Sequence, residues 1–197
     1  MTVINQLQMS YSPEEDRVLL RLNTTSAEEC RFWLTRRYCQ LMVQALRAHR
    51  AADPDVSNRV SPVARKAIEA FKREAADSRG NFKDDFKRSD TFPLGETPVL
   101  AHKLSYRVLN SKLALTISPG SGQGVTIALD TPLNFNVTKL LRSAAQAGNW
   151  VLDWGGEKRG GEQVSENERR IINQIIRIIC LESHWFSMRF QILSILD

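Results

Sequence analysis

Residues 100–129 read LAHKLSYRVLNSKLALTISPGSGQGVTIAL, and this stretch decides the fold class. Apolar side chains occupy every second position in three runs, which are Leu100 to Val108, Leu113 to Ile117, and Val125 to Leu129. A period of two is typical of strands that bury one face. Because Asn110-Ser111 and the loop Gly120–Gly124 separate the runs, we predict a meander of three consecutive antiparallel strands.

A second group of strands is predicted near the start of the chain. Between Asp16 and Asn23, leucine and valine alternate with arginine, and Glu28–Leu34 alternates in the same way. The polar stretch Thr24-Thr25-Ser26-Ala27 lies between the two runs and is typical of a turn. We therefore predict a β-hairpin in front of the helical part of the chain.

Three helices are expected from their start and stop signals. Thr35 is a candidate N-cap for a helix that ends near Ala51, and Ser61-Pro62 has the cap and first-turn proline of a second helix. Thr131-Pro132 repeats that signal before a helix that ends at Gly148. Strands gather in runs rather than alternating with helices, so we predict an α+β fold with an antiparallel sheet.

The composition changes at Gly155. We predict a globular domain over residues 12–154, a glycine-rich linker over 155–164, and a helical arm over 165–197 that is apolar on most of its surface. Ser165 and Glu168 have the spacing of a capping box at the start of this arm. A transmembrane span needs about 20 mainly apolar residues, whereas Arg177, Glu182 and Arg189 interrupt the run, so we expect none.

Such an arm has to be covered, because burying one isoleucine or leucine side chain stabilises a protein by about 1.5–3 kcal/mol. The sequence leaves three alternatives for what buries the arm. The arm folds back onto its own domain, docks onto a partner protein or a second copy, or lies on a membrane surface. For docking, the residues that we expect to make contact are Ile172, Ile175, Ile179, Trp185 and Phe186.

The cysteines indicate the cellular compartment of the protein, and the charge distribution indicates its class of partner. Three cysteines without regular spacing do not form a secreted disulfide framework, and the first ten residues lack a signal-peptide pattern, so we expect a cytoplasmic protein. The net charge is +5, but the excess is spread along the chain. This distribution weakens a nucleic-acid role without excluding it, since folding can gather basic side chains on one face.

No motif for catalysis, a metal or a cofactor stands out, so we expect no metal or cofactor and name no catalytic residue. The glycines of Gly120–Gly124 precede a strand pattern rather than a helix, so a hairpin loop is favoured over a phosphate-binding loop. We place His102 on the inward face of a strand as a packed histidine. Cys39 follows two arginines near a helix start, where its pKa could fall, but packing in the core is the favoured interpretation.

Four arginines give the alternative functional hypothesis. Arg36, Arg37, Arg47 and Arg50 flank the first helix. Positions 36, 47 and 50 can share a surface, because spacings of 11 and 14 residues are close to whole helical turns. Guanidinium groups suit phosphate or carboxylate recognition, so this face is a candidate site for nucleic acid or an anionic ligand. The alternative is a solvated helix face.

The segment Arg31-Phe32-Trp33-Leu34-Thr35-Arg36-Arg37-Tyr38, which follows the strand Val18–Leu22, resembles a family of uncharacterised bacterial conserved proteins. In that family a short hairpin leads into a W-L-T-R-R segment and a helix. The resemblance covers residues 17–50 and extends in part to 125–150. It implies the hairpin and the helix but no activity, and hence no functional residues.

The sequence therefore leads to three functional hypotheses. The first is a non-enzymatic interaction or assembly module that docks through its C-terminal arm onto a protein partner or a second copy. The second is a protein that binds nucleic acid or an anionic ligand on the arginine face. The third is an enzyme of unknown class.

Overall fold

A computed structural model describes residues 4–82 and 85–155 of the chain. The chain begins with three strands, β1 (Ile4–Ser12), β2 (Arg17–Thr24) and β3 (Glu29–Leu34), and continues with three helices, α1 (Arg36–Ala51), α2 (Pro54–Ser57) and α3 (Pro62–Arg79). Three more strands, β4 (Val99–Leu109), β5 (Lys112–Pro119) and β6 (Val125–Leu129), are followed by the helix α4 (Thr131–Ala147). The predicted α+β class is confirmed.

The six strands form one sheet in the order of the chain. Neighbours pair antiparallel within β1–β3 and within β4–β6, but β3 and β4 run parallel through the pairs Phe32–Val99 and Trp33–Leu100. The sheet is therefore mixed, and the prediction of an antiparallel sheet was wrong. A crossover through three helices separates β3 from β4, and a connection of that length returns the chain to the same end of the sheet.

The strand β1 was not predicted. Its residues Leu7, Met9 and Tyr11 pair with Leu22, Leu20 and Val18 of β2. Glutamine and serine fill the alternate positions of β1, so few of its residues have a strong preference for strands.

The core lies between one face of the sheet and the helices α1 and α4. Buried side chains from β2, β3, β5 and β6 form a single cluster with residues of these two helices, and Phe32, Leu46 and Leu141 are among its fully buried members. Thr35 and Ser61 cap α1 and α3 as predicted, while Asp130 rather than Thr131 caps α4. The chain after α4 continues the core through Leu152.

The opposite face of β1–β3 is covered by residues 85–98, which we call the strap. The side chain of Asn23 donates a hydrogen bond to the carbonyl oxygen of Lys87, and the backbone N–H of Glu29 donates one to the carbonyl oxygen of Thr91. The long polar connection between α3 and β4 is thus fastened to the outer face of the sheet by backbone atoms.

Three side chains of β4 that the alternating pattern placed on its inward face, those of Leu100, His102 and Tyr106, are exposed. Ala101 is the buried position before an irregularity between Ala101 and Lys103 in the register with β5, and Leu104 and Val108 are the half-buried positions beyond it. A bulge of this kind adds one residue to a strand, so the alternation of sides restarts beyond it.

Gly155 is the one described residue of the predicted linker at 155–164. The predicted arm at 165–197 lies outside the described residues. Within residues 4–82 and 85–155, no helix is both long enough and apolar enough to cross a membrane.

Candidate functional site

A pocket of 410 Å³ opens between the solvent side of α1, the helix α3 and the chain that follows α4. Its lining residues are Gln44, Arg47, Ala48, Arg50, Ala51, Glu69, Trp154 and Gly155. Two guanidinium groups, one carboxylate and one indole ring thus border the same space. Its volume lies in the lower part of the range of small-molecule sites, about 300–1,000 Å³.

Side chains of α4 hold the guanidinium of Arg50 in place. Its Nη1 donates hydrogen bonds to Asn134 Oδ1 at 2.7 Å and to Thr138 Oγ1 at 2.8 Å, and its Cζ lies 5.5 Å from the ring centroid of Phe135. These contacts fix one side of the guanidinium in a single position. Arg50 therefore borders the pocket as an ordered cation.

Asn134 and His49 anchor that position inside the protein. Both residues are buried, and the side-chain nitrogen of Asn134 donates to the carbonyl oxygen of Leu46 at 3.1 Å and to His49 Nδ1 at 2.9 Å. The other ring nitrogen of His49 lies 3.0 Å from the carbonyl oxygen of Ser111. Since a carbonyl accepts only, Nε2 of His49 carries the proton and Nδ1 accepts, and the chain from Ser111 to Arg50 is fully hydrogen-bonded.

The second arginine of the pocket is held more loosely. Arg47 is 41% exposed, and its Nη1 lies 3.9 Å from Asp153 Oδ2. Gly155 has φ of +68° and packs so closely on the Arg47 guanidinium that a Cβ atom there would overlap with it. The backbone conformation favours glycine at position 155, whereas the loosely held guanidinium would have to shift to admit a larger side chain.

Trp154 forms an aromatic wall of the pocket. The guanidinium of Arg142, on α4, lies 4.7 Å from its ring centroid. Cation–π contacts of this kind help to hold an aromatic ring in position.

The charged side chains of the lining suit the recognition of an anion. The two arginines carry guanidinium groups, whose fork geometry matches carboxylate and phosphate oxygens, and Glu69 adds acceptor oxygens to the lining. Among the described residues that line the pocket, Glu69 is the single acidic side chain, and none is a serine, cysteine, lysine or histidine. The arrangement is suited to holding an anion.

The structure brings together two of the four arginines that the sequence singled out. Arg47 and Arg50 line the pocket, whereas Arg36 donates from Nη2 to the carbonyl oxygen of Val151 and Arg37 is exposed. Arg36 shares a helix face with Arg47 but lies about 16 Å from it along the axis, and Arg37 points about 100° away from that face. The predicted docking residues of the arm, from Ile172 to Phe186, lie outside the described residues.

A second polar cluster, on the other face of the sheet, was missed by the sequence analysis. Glu29 is fully buried, and its Oε1 accepts hydrogen bonds from Arg21 Nε at 2.9 Å and Arg31 Nε at 2.7 Å. Its Oε2 accepts the backbone N–H of Ser89 in the strap. Burial acts to raise the pKa of Glu29, but the hydrogen bonds from the two arginines and from Ser89 outweigh it and lower the pKa to about 2.

The strap completes this cluster with two aromatic rings. The guanidinium of Arg21 lies 4.1 Å from the ring centroid of Phe86, and that of Arg31 lies 4.6 Å from the ring centroid of Phe92. A signal for the cluster was present in the hairpin, because Arg21 and Arg31 are direct cross-strand partners. Like charges in that position destabilise a sheet unless a counter-charge lies between them, and Glu29 supplies one.

The two described cysteines are packing residues. Burial raises the pKa of Cys39 to about 12, and burial together with the nearby charges of Glu28 and Glu29 raises that of Cys30 to about 11. The packing interpretation of Cys39 is confirmed by its complete burial. Among residues 4–82 and 85–155, no group of three histidine, cysteine or acidic side chains is placed to hold a metal ion.

The chain matches no protein-family model, no curated protein and no solved structure at a significant level. The resemblance to the W-L-T-R-R family therefore stays a prediction.

Proposed function

We propose that the globular domain binds a small anionic ligand in the pocket lined by Arg47 and Arg50, without transforming it. The observation that carries the proposal is the buried chain of hydrogen bonds through His49 and Asn134, which orients Arg50 at the pocket wall. An arginine that served only solubility would not need a fixed orientation. Ordering the donor in advance lowers the entropy cost of binding.

The other lining groups support the same conclusion. Arg47 lies three residues before Arg50 on α1, so both guanidiniums reach one anionic group from the same helix. The Trp154 indole favours a ligand with a flat apolar part, because aromatic rings contribute large contact areas to binding sites. Inorganic phosphate tests the anionic part alone, and benzoate tests both parts.

The test is isothermal titration of the full chain with phosphate and with benzoate. Arg47→Gln is expected to weaken binding about 10- to 100-fold, since a hydrogen bond to a charged group contributes about 1.5–3 kcal/mol. Arg37→Gln removes the same charge from an exposed position on the same helix and is the matched control. Equal affinity of the wild type and Arg47→Gln for both probes, or no binding of either probe, would refute the proposal.

A positioning role for Asn134 is tested separately. Asn134→Ala removes one of the two acceptors that hold Arg50 Nη1, leaving Thr138 Oγ1, and keeps both arginines. We expect weaker probe binding with an unchanged number of sites, and the far-ultraviolet circular dichroism spectrum serves as the check on folding. Unchanged affinity in a folded variant would show that the buried chain does not serve the pocket.

The assembly hypothesis is a second candidate function, favoured by the composition of the C-terminal segment. Fifteen large apolar residues lie between positions 171 and 196, and the domain before them already has a core that reaches to Leu152. We propose that this segment docks onto a protein partner or a second copy through Ile172, Ile175, Ile179, Trp185 and Phe186. The free energy of burying these side chains drives the association.

Light scattering of the full chain tests this candidate. Ile175→Asp is expected to reduce the associated mass, while Asn173→Asp adds the same charge at a polar position and serves as the control. A wild-type chain that stays monomeric and soluble, without pelleting with anionic lipid vesicles or capturing a partner, would refute docking. Pelleting with vesicles alone would favour the membrane-surface alternative.

A nucleic-acid role for the arginine face gives a different signature. Oligonucleotide binding that weakens steeply with salt would support it, because phosphate contacts release counterions. Binding that is flat across salt concentrations would exclude it.

A further inference from the structure

The cluster beneath the strap has more donors than acceptors. Arg21 and Arg31 contribute two positive charges and Glu29 one negative charge. The Nη2 atoms of both arginines are buried and have no hydrogen-bond partner among the described residues. Buried polar groups in folded proteins are paired almost without exception, so two unpaired guanidinium nitrogens at one place call for an occupant.

The unpaired donors face a common space. In a guanidinium, the N–H bonds of Nε and Nη2 point in the same direction, which allows an arginine to hold an anion with two parallel hydrogen bonds. Since both Nε atoms donate to Glu29 Oε1, both Nη2 groups are directed to the surroundings of that same oxygen. The Nε–H groups of Arg21 and Arg31 thus both donate to one carboxylate oxygen. The Nη2–H groups beside them have no partner among the described residues.

The remaining contacts do not balance the charge. Arg21 Nη1 donates to the side-chain oxygen of Gln8, and Arg31 Nη1 donates to the backbone carbonyl of Glu96, both of which are neutral acceptors. Arg21 and Arg31 are only 18% and 11% exposed, so one positive charge in this largely buried place has no ion-pair partner among the described residues, and burying a charge without a counter-charge is costly. A water molecule would accept hydrogen bonds from the N–H groups but would leave the charge uncompensated. An anion accepts the same hydrogen bonds and also compensates the charge.

We propose that the Arg21–Arg31 pair is a binding site for a small monovalent anion of the size of chloride. The two Nη2 groups are its donors, and the strap is its cover. This site lies on the opposite face of the sheet from the Arg47–Arg50 pocket and is independent of the function proposed for that pocket.

The cover limits the size of the occupant. The rings of Phe86 and Phe92 lie on the two guanidiniums, so an occupant has to fit between the guanidinium edges and the strap. A larger oxyanion would have to lift the strap, which is bound to the sheet through Asn23 and the backbone of Glu29. The site therefore selects halide-sized anions over phosphate.

Thermal unfolding of the full chain in sodium chloride, against sodium gluconate at equal ionic strength, tests the site. A ligand that binds only the folded state raises the unfolding midpoint, by about 5–10 °C at a hundredfold excess over its Kd. Arg31→Lys keeps the charge but removes the fork and is expected to lose the chloride-dependent increase. Arg17→Lys makes the same change at an exposed position of β2 and is expected to keep it.

Bromide located by anomalous diffraction makes the test independent of the folding of any variant. A bromide peak within hydrogen-bond distance of Arg21 Nη2 and Arg31 Nη2 supports the site. Equal midpoints in chloride and gluconate together with no bromide peak would overturn it, as would a chloride response that Arg31→Lys retains in full. Stabilisation by phosphate that Arg31→Lys abolishes, without stabilisation by chloride, would overturn the size argument.

Discussion

Replacing Glu29 by glutamine removes the one negative charge between two buried arginines while keeping the shape of the side chain. The pKa of Glu29 is lowered from 4.5 to about 2, which corresponds to about 3 kcal/mol of stability at 1.36 kcal/mol for each pKa unit. Removing one partner of a buried ion pair costs a similar amount, about 3–5 kcal/mol. We therefore expect Glu29→Gln to lower the unfolding free energy at pH 7 by about 3 kcal/mol.

The pH dependence follows from the sign of the pKa change. A carboxylate whose pKa is depressed in the folded state stabilises the protein above its unfolded pKa, and the stabilisation is lost as the pH falls through the folded pKa. For Glu29 the loss takes place between pH 4.5 and about pH 2. The difference between the wild type and Glu29→Gln is thus expected to shrink by about 2 kcal/mol between pH 7 and pH 3.

Urea denaturation at a series of pH values and constant salt measures both quantities. Glu15→Gln is the matched control, because Glu15 pairs with Arg17 at the surface, at the start of the neighbouring strand β2, and such pairs contribute about 0–1 kcal/mol. Two results would refute the reasoning. One is a Glu29→Gln variant as stable as the wild type at pH 7, and the other is a stability difference that does not change with pH.

Two further predictions concern the other buried ionisable groups. Asp53→Asn keeps the helix cap but loses the charge opposed to Lys72, so we expect it to lower the unfolding free energy by about 1.5–3 kcal/mol at pH 7. Burial acts to raise the pKa of Asp53, but the Lys72 hydrogen bond and other contacts lower it overall. The stability difference between the wild type and Asp53→Asn is therefore expected to shrink at acid pH. A stability difference that is constant with pH would contradict the account. In a Cys180→Ser variant, burial keeps the thiols of Cys30 and Cys39 protonated, so neither is expected to react with a thiol reagent at pH 8 until urea unfolds the protein. Rapid labelling of either thiol in the native state would contradict their burial.

The candidate sites could be predicted only in part. The sequence singled out Arg47 and Arg50 because the helical period places them on one surface. It did not exclude Arg36 and Arg37, since the wall of the pocket is completed by Glu69 and Trp154, which come from distant parts of the chain. Asn134 was not foreseen as the anchor of Arg50, because 84 residues separate the two along the chain.

Local patterns by themselves determined most of the secondary structure. The alternation in β2, β3, β5 and β6, and the caps at Thr35 and Ser61, depend on neighbouring residues and are legible in the sequence. Tertiary structure alone decided the parallel contact of β3 with β4, the pairing of β1, and the burial of Glu29 beneath the strap. The physical reason is that pairing direction and the burial of charge depend on which segments meet in space, and their free energies arise only when residues far apart in the chain come into contact.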